Sequence, residues 1–395
     1  MSPLVLLLML SFLVSVDVRI LAPVLPSISE SLGSSAGSIG LAMTTYSFAY
    51  GLGQLIYGPL SDRLGRIAVV RWAGIAFALC TVLSALSVAT WPFIGARLLA
   101  GSFAGAVIPL TLVYIGDTVE YERRQVVLGR LSALTAVAMA FSAGIGGAVA
   151  HFISWRLMLV GYGLLALIPV GLMWRLKAES RREAAGEVES YGALLRDRRA
   201  LFVYGAVFLE GFLMWGAITY LGAFANQRYG LDQLTVGLLL SLFGIGTMTG
   251  GLAMGRIRRH LSENLLAGLG GLLMGVSFLV LIPGGSPGLF AVGNFVLGLG
   301  FVSLHTTLQL RGTEISSTAR GKAFSLFIFL LFSGISLGSG VLGWLVDAGR
   351  YGMMFVIAGA GLIAVGLATA VAPQCRTGRW GWDETRKRDY CPPVD

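Results

Sequence analysis

Apolar residues lie along the chain in blocks about 20 residues long, separated by short polar or glycine-rich breaks. A helix of about 20 apolar residues crosses roughly 30 Å of hydrocarbon, so each block predicts one transmembrane span. The breaks carry turn residues, as in Gly33-Ser34-Ser35. The twelve predicted spans lie near residues 4–26, 38–60, 67–88, 92–116, 127–150, 156–176, 200–223, 234–255, 264–284, 287–310, 322–346 and 351–373.

One polar segment interrupts this pattern midway along the chain. Residues 177–199 are charged and helix-prone, as expected of a cytoplasmic linker between residues 1–176 and 200–373, with residues 374–395 as a cytoplasmic tail. The flanking parts look related, because one constant offset places Gly58 on Gly251 and Arg63 on Arg256. The sequence therefore predicts an all-α membrane protein whose twelve transmembrane helices form two six-helix bundles.

Composition supports the membrane class. The 395 residues are 55% hydrophobic and only 12% charged, whereas soluble domains carry roughly 25% charged residues. The net charge of +9 does not indicate nucleic acid, because most of the 29 Lys and Arg fall in loops on one face of the membrane. This positive-inside bias predicts a bacterial-type cytoplasmic (inner) membrane with both termini cytoplasmic.

Catalytic chemistry finds no support in the sequence. It shows no phosphate-binding loop, no cluster of metal ligands and no nucleophile–base pair. The three cysteines, Cys80, Cys375 and Cys391, do not have the spacing of a metal site or a disulfide framework. We therefore expect neither an enzyme nor an ATP-driven pump, and no metal or cofactor.

Ionisable residues inside the spans are the strongest functional candidates, because each costs several kcal/mol in hydrocarbon. The offset that relates the two halves places Asp17 of span 1 on Glu210 of span 7. These two acids, with Arg97 and His305, are the predicted proton-coupling residues. Two alternatives stay open: Asp17 could form a static salt bridge with Arg97, and His305 could be a neutral, hydrogen-bonded core residue.

Polar and aromatic residues on helix faces predict a wall for substrate binding. Tyr46, Tyr50 and Gln54, together with Tyr57, fall within an arc of roughly 80° on span 2. Such a stripe suits stacking on an amphipathic ligand, although helix packing explains it equally well. The predicted substrate-binding residues are Tyr46, Tyr50, Gln54, Trp215, Asn294, Gln309 and Arg19.

The turn Gly58-Pro59-Leu60-Ser61-Asp62-Arg63-Leu64-Gly65-Arg66, between spans 2 and 3, resembles the signature loop of the major facilitator superfamily of transporters. The resemblance implies that the loop stabilises one conformational state. Asp62 would meet the N-terminus of span 11, and Arg66 would pair with Asp117. The implied latch comprises Gly58, Asp62, Arg63, Gly65, Arg66 and Asp117.

Other segments resemble the twelve-span drug–proton antiporters of that superfamily. Residues 97–101 are similar to its span 4 motif R-x-x-x-G, whose Arg is linked to proton coupling, and residues 17–26 to its span 1 motif. Two segments depart from the pattern. Residues 142–147 lack the Gly-Pro of the span 5 antiporter motif, and Gly255 replaces Asp in the second copy of the signature loop.

These features together favour a secondary active transporter that works by alternating access. We expect proton-coupled export of small amphipathic compounds by a monomer in the lipid bilayer, with the substrate and protons as its partners. A uniporter or symporter of a sugar or organic acid is the alternative, favoured by the altered span 5 motif. A sensor or scaffold that keeps the fold without transport is an alternative of another class.

Overall fold

The computed structural model describes residues 2–175, 194–195, 197–282, 285–316, 320–372, 381–383 and 388–390. The side chains of Arg19 and Asp62 lie outside this description, as does most of the predicted linker. Within the described ranges, nine helices are long and apolar enough to cross a membrane, and two shorter apolar helices lie at Ala140–Phe152 and Glu263–Leu279.

The predicted spans of the N-terminal half correspond to helices. Span 1 consists of Pro3–Ile20, a 3₁₀ turn at Ala22–Val24 and a short helix at Leu25–Ser31. Span 4 is likewise broken once, between Thr90–Ala104 and Val107–Thr118. The other four spans are Ala36–Leu64 (span 2), Arg66–Leu86 (span 3), Tyr121–Phe152 (span 5) and Trp155–Met173 (span 6).

The C-terminal half repeats this arrangement. Span 7 is built from Arg198–Glu210, a π-helix at Gly211–Trp215, a short turn at Gly216–Ile218 and a final helix at Leu221–Tyr229. Spans 8 to 12 are Gln233–Ile257, Glu263–Leu279, Pro287–Thr313, Arg320–Asp347 and Tyr351–Val371. Two short strands in the tail, Gly381–Asp383 and Arg388–Tyr390, pair antiparallel.

Short polar side chains mark where many spans begin. Ser35, Ser154 and Ser262 each accept a hydrogen bond from a backbone N–H of the first turn of spans 2, 6 and 9. Asp197 and Asp232 do the same for spans 7 and 8. These caps satisfy amide groups that a helix leaves unpaired at its start, so they set the span boundaries.

Each half has its own hydrophobic core, and the cores are built largely from residues of the same half. Contacts between the halves run mainly along two helix pairs, span 2 with span 11 and span 5 with span 8. The expected all-α fold of two six-helix bundles is therefore confirmed for the membrane part of the chain.

The two halves meet at the end of the bundle opposite the loop 58–66, which we call the outer end; the end that carries this loop is the loop end. On span 8, contacts with span 5 run from Gln233 to Gly244. The residues that continue this face towards the loop end, Met248, Gly251 and Gly255, are exposed. The halves therefore close the outer end and leave a cleft open to the loop end.

Candidate functional site

Asp17 and Arg97 form an ion pair inside the N-terminal half. Arg97 donates from Nη1 to Asp17 Oδ1 at 3.2 Å and from Nη2 to Asp17 Oδ2 at 2.8 Å. Both side chains are 0% exposed, and the Arg97 guanidinium lies 4.4 Å from the ring centroid of Tyr46. The structure therefore shows a salt bridge between Asp17 and Arg97, one of the alternatives that the sequence left open, and the Asp17 side chain is not exposed.

Glu210 and His305 form a different kind of pair in the C-terminal half. The Nδ1 atom of His305 lies 2.9 Å from Glu210 Oε2, and the Glu210 side chain is 0% exposed against 15% for His305. The imidazole lies between Phe301 and Phe327, with ring centroids 4.8 and 6.1 Å away. Among the described residues, Glu210 Oε1 has no hydrogen-bond partner.

The backbone around Glu210 is irregular. Glu210 ends an α-helix, and the next five residues, Gly211–Trp215, form a π-helix. Single π-helical turns of this kind occur frequently at functional sites. This segment lies directly on span 11, because an added Cβ at Gly211 would overlap the carbonyl oxygen of Leu331 and one at Gly216 would overlap Gly338. The segment that follows Glu210 therefore packs closely against span 11.

The predicted tyrosine stripe takes part in packing. Tyr46 and Tyr50 are buried, and their rings stack with centroids 6.3 Å apart. The Tyr50 ring also lies 4.4 Å from that of Phe332 in span 11. Gln54 lies one helical turn after Tyr50 on the same helix, so these three predicted residues lie together where span 2 meets the other half.

The other predicted substrate residues are dispersed. Trp215 packs in the C-terminal core against Phe243 and Phe301, with ring centroids 6.0 and 5.4 Å away. Asn294 is buried and donates to the carbonyl of Phe290 in its own helix at 2.9 Å. Gln309 is half-buried on span 10. Trp215 and Asn294 thus make contacts within the C-terminal half, whereas Tyr50 and Gln54 lie on span 2 of the N-terminal half.

The family of this chain is shown by a comparison with known protein families. The family model for the Major Facilitator Superfamily matches residues 7–339. The chain belongs to the Major Facilitator Superfamily. It is therefore a transporter and not an enzyme.

Relatives of this chain include one named for drug resistance and one named for sugar efflux. The chloramphenicol resistance protein of Pseudomonas aeruginosa is 28% identical over 251 residues, which cover 62% of this chain and 59% of that protein. The chain thus matches less than two thirds of that relative. A probable sugar efflux transporter of Helicobacter pylori (strain P12) is 24% identical over 348 residues, 86% of this chain and 88% of that protein.

A solved structure agrees with the family assignment at the level of the fold. The nucleoside transporter NupG superposes with a TM-score of 0.78 at 14% sequence identity, over 93% of this chain and 99% of that chain. At this identity the likeness shows the fold alone. It supports the division into two six-helix bundles.

The major facilitator signature loop has a well-defined geometry here. Gly65 has φ of 90°, a conformation that favours glycine, and it separates span 2 from span 3. Arg66 donates from Nε to Asp117 Oδ2 at 3.4 Å and from Nη1 to Ser61 Oγ at 2.5 Å. Arg63 is exposed, and no side chain lies within 4 Å of an added Cβ at Gly58. The predicted contact of Asp62 with span 11 lies outside the described residues.

A second ion-pair cluster at the loop end was missed by the sequence reasoning. Arg311, at the end of span 10, donates to Glu263 Oε1 at 3.0 Å, to Asn264 Oδ1 at 2.8 Å and to the carbonyl of Thr369 at 3.0 Å. It joins spans 9, 10 and 12, as Arg66 and Asp117 join spans 3 and 4. The repeat offset was the available signal, because it places the end of span 4 on the end of span 10.

Proposed function

We propose that this transporter exports small amphipathic compounds in exchange for protons, by alternating access between its two halves. The family and the two-bundle fold support transport. The relatives named for chloramphenicol resistance and sugar efflux support export. We further propose that it works as a monomer in the cytoplasmic membrane, with the loop end and both termini in the cytoplasm.

The observation that carries proton coupling is the contrast between the two buried acids. Asp17 faces an arginine, which stays protonated at every physiological pH, so this pair is neutral without further protons. Glu210 faces a histidine, a side chain that can exist with or without an extra proton. One proton takes the Glu210–His305 pair from a net charge of −1 to neutrality, which a low-dielectric interior favours.

The position of this pair suits exchange with one side of the membrane at a time. We propose that, while the outer end is closed, the partly exposed His305 exchanges its proton towards the loop end. The pair then carries a net negative charge, and an amphipathic, especially cationic, substrate can enter the cleft. Reprotonation after the outer end opens would release the substrate there, because it removes that charge.

We propose that the aromatic contact between the halves forms part of the substrate path. Tyr50 and Phe332 meet across the two halves, where the cleft begins. Rings at this place can stack on a flat apolar ligand, and Gln54 offers a hydrogen-bonding group beside them. Trp215, Asn294, Gln309 and Arg19 remain proposed contributors that substitution must test one by one.

Proteoliposomes loaded with acid test this function. Radiolabelled chloramphenicol should accumulate when the outside is made alkaline, and an ionophore should abolish the accumulation. Glu210→Gln and His305→Gln should lose this gradient-driven accumulation and retain gradient-free counterflow, because only the proton step is removed. The double variant Asp17→Asn/Arg97→Gln is the matched control and should keep accumulation.

Two results would count against the proposal in different ways. If Glu210→Gln and His305→Gln accumulate chloramphenicol as the parent does, these residues do not couple the proton. If the parent moves no chloramphenicol but moves a sugar in the same assay, export of a sugar is the function. The sugar efflux relatives make that the second candidate.

A further inference from the structure

Asp347 connects the two halves at the outer end. It is the last residue of span 11 in the C-terminal half. Its Oδ2 accepts a hydrogen bond from the Ser35 hydroxyl at 2.7 Å, and its Oδ1 accepts one from the backbone N–H of Gly37 at 2.8 Å. Ser35 and Gly37 belong to the first turn of span 2, in the N-terminal half. The carboxylate of one half therefore caps a helix of the other half.

The chemistry of this contact favours a carboxylate. The first amides of a helix lack partners within the helix, and the helix dipole adds positive potential there. Span 2 is 29 residues long, so its dipole is fully developed. Glycine at position 37 leaves room for this contact, since an added Cβ would overlap the present position of the Asp347 carboxylate. The unpaired amides, the helix dipole and the space at Gly37 all favour an anion at this position.

Other contacts between the halves at the outer end are weaker or neutral. Thr44 and Ser339 share a hydroxyl hydrogen bond at 2.9 Å. His151 and Asp232 lie 3.9 Å apart with side chains 36% and 51% exposed, a geometry that contributes little. Among the described residues, the Asp347 contact is thus the one that combines short hydrogen bonds with a full charge.

We infer that Asp347 is a positioning residue of the outer gate, which holds the outer end closed by capping span 2. The cap exists only while the two halves meet, because each half supplies one side of it. Opening the outer end must separate Asp347 from Ser35 and Gly37. The family resemblance implies a similar device at the loop end, where Asp62 would meet the N-terminus of span 11. Spans 2 and 11 would then cap each other alternately, one end at a time.

Double electron–electron resonance on the purified transporter tests this inference without a substrate. Spin labels at Val88→Cys and Arg228→Cys report the distance between the halves, because both residues are exposed near the outer end. Cys80, Cys375 and Cys391 are first replaced. Asp347→Asn should raise the ratio of open to closed outer end on the order of tenfold, since it removes a charge-assisted cap.

Further variants separate the latch from a general loss of stability. Ser35→Ala removes one of the two hydrogen bonds and should raise the ratio of open to closed outer end a few-fold. This variant tests the inference if Asp347→Asn folds poorly. Asp347→Glu should recover part of the closed population. Asp197→Asn is the matched control, because Asp197 caps only its own helix at 2.9 Å. An unchanged distance distribution in Asp347→Asn and Ser35→Ala, or an equal shift in Asp197→Asn, would overturn the inference.

Discussion

The Asp17–Arg97 pair allows a quantitative prediction. Both side chains are fully buried and joined by two hydrogen bonds of 2.8 and 3.2 Å. Removing one charge leaves the other buried without compensation, which costs about 3–5 kcal/mol. Replacing both by neutral side chains removes that penalty, and hydrophobic replacements of similar volume are often neutral or stabilising. Asp17→Asn and Arg97→Gln should therefore each destabilise strongly, whereas the double variant should approach the parent.

Thermal unfolding of the four proteins in one detergent measures this cycle. Domains of 150–250 residues shift by about 2–4 °C per kcal/mol, so each single variant should melt roughly 6–20 °C below the parent. The double variant should melt within a few degrees of the parent. Additive losses, with the double variant the least stable of all, would refute the assignment of this pair as a buried structural contact.

The same variants address transport. If the pair is structural, the double variant keeps a proton gradient as its driving force, because neither residue exchanges a proton in the transport cycle. A stable double variant that transports without any dependence on the gradient would show instead that Asp17 carries the proton. Stability and coupling are thus measured separately on one set of proteins.

Three more predictions follow from contacts in the C-terminal half. Arg311→Met leaves the half-buried Glu263 without its main cation and should lower the free energy of unfolding by about 1–3 kcal/mol. The double variant Glu263→Gln/Arg311→Met should recover part of this loss, and thermal unfolding measures both effects. Gly244→Leu should prevent spans 5 and 8 from closing, because even an added Cβ at this position overlaps the facing backbone of Ala140. Longer distances between spin labels at the outer end, measured by double electron–electron resonance, would confirm this. Hydrogen bonds from Thr235 lower the pKa of Asp232 below its usual value of 3.8. This cap therefore stabilises the folded state above pH 3.8, and the stabilisation is lost as the pH falls through the pKa of the folded state. The melting temperatures of the parent and of Asp232→Asn should converge at low pH.

Much of the fold could be predicted because the membrane imposes a strong pattern. A span must be apolar over a fixed length, and this requirement is visible in one sequence. Breaks inside the spans were not predicted. Span 7 was expected as a single helix near 200–223, whereas the structure has a π-helix at Gly211–Trp215 and extends to Tyr229. Close packing on span 11 accompanies this break, and such packing leaves no periodic signal in span 7.

The partners of the buried acids could not be predicted for a related reason. Hydrophobic patterning indicates that Asp17 and Glu210 lie in spans, but their partners depend on which helices approach them. Span 1 packs near Arg97, whereas span 7 packs near His305. Symmetry between the halves predicted similar roles for the two acids. The difference arises from the partner, since arginine holds its charge and histidine does not.

Each half has an ion pair between two spans at the loop end, although the charges occupy exchanged positions in the two halves. In the N-terminal half a cation, Arg66, begins span 3 and an anion, Asp117, ends span 4. In the C-terminal half the signs are exchanged, with Glu263 at the start of span 9 and Arg311 at the end of span 10. Opposite charges attract in either arrangement, so each pair can join its two helices. Gly255 stands where the signature loop has Asp, so the second copy of the loop lacks that carboxylate, yet the C-terminal half keeps an ion pair between spans 9 and 10.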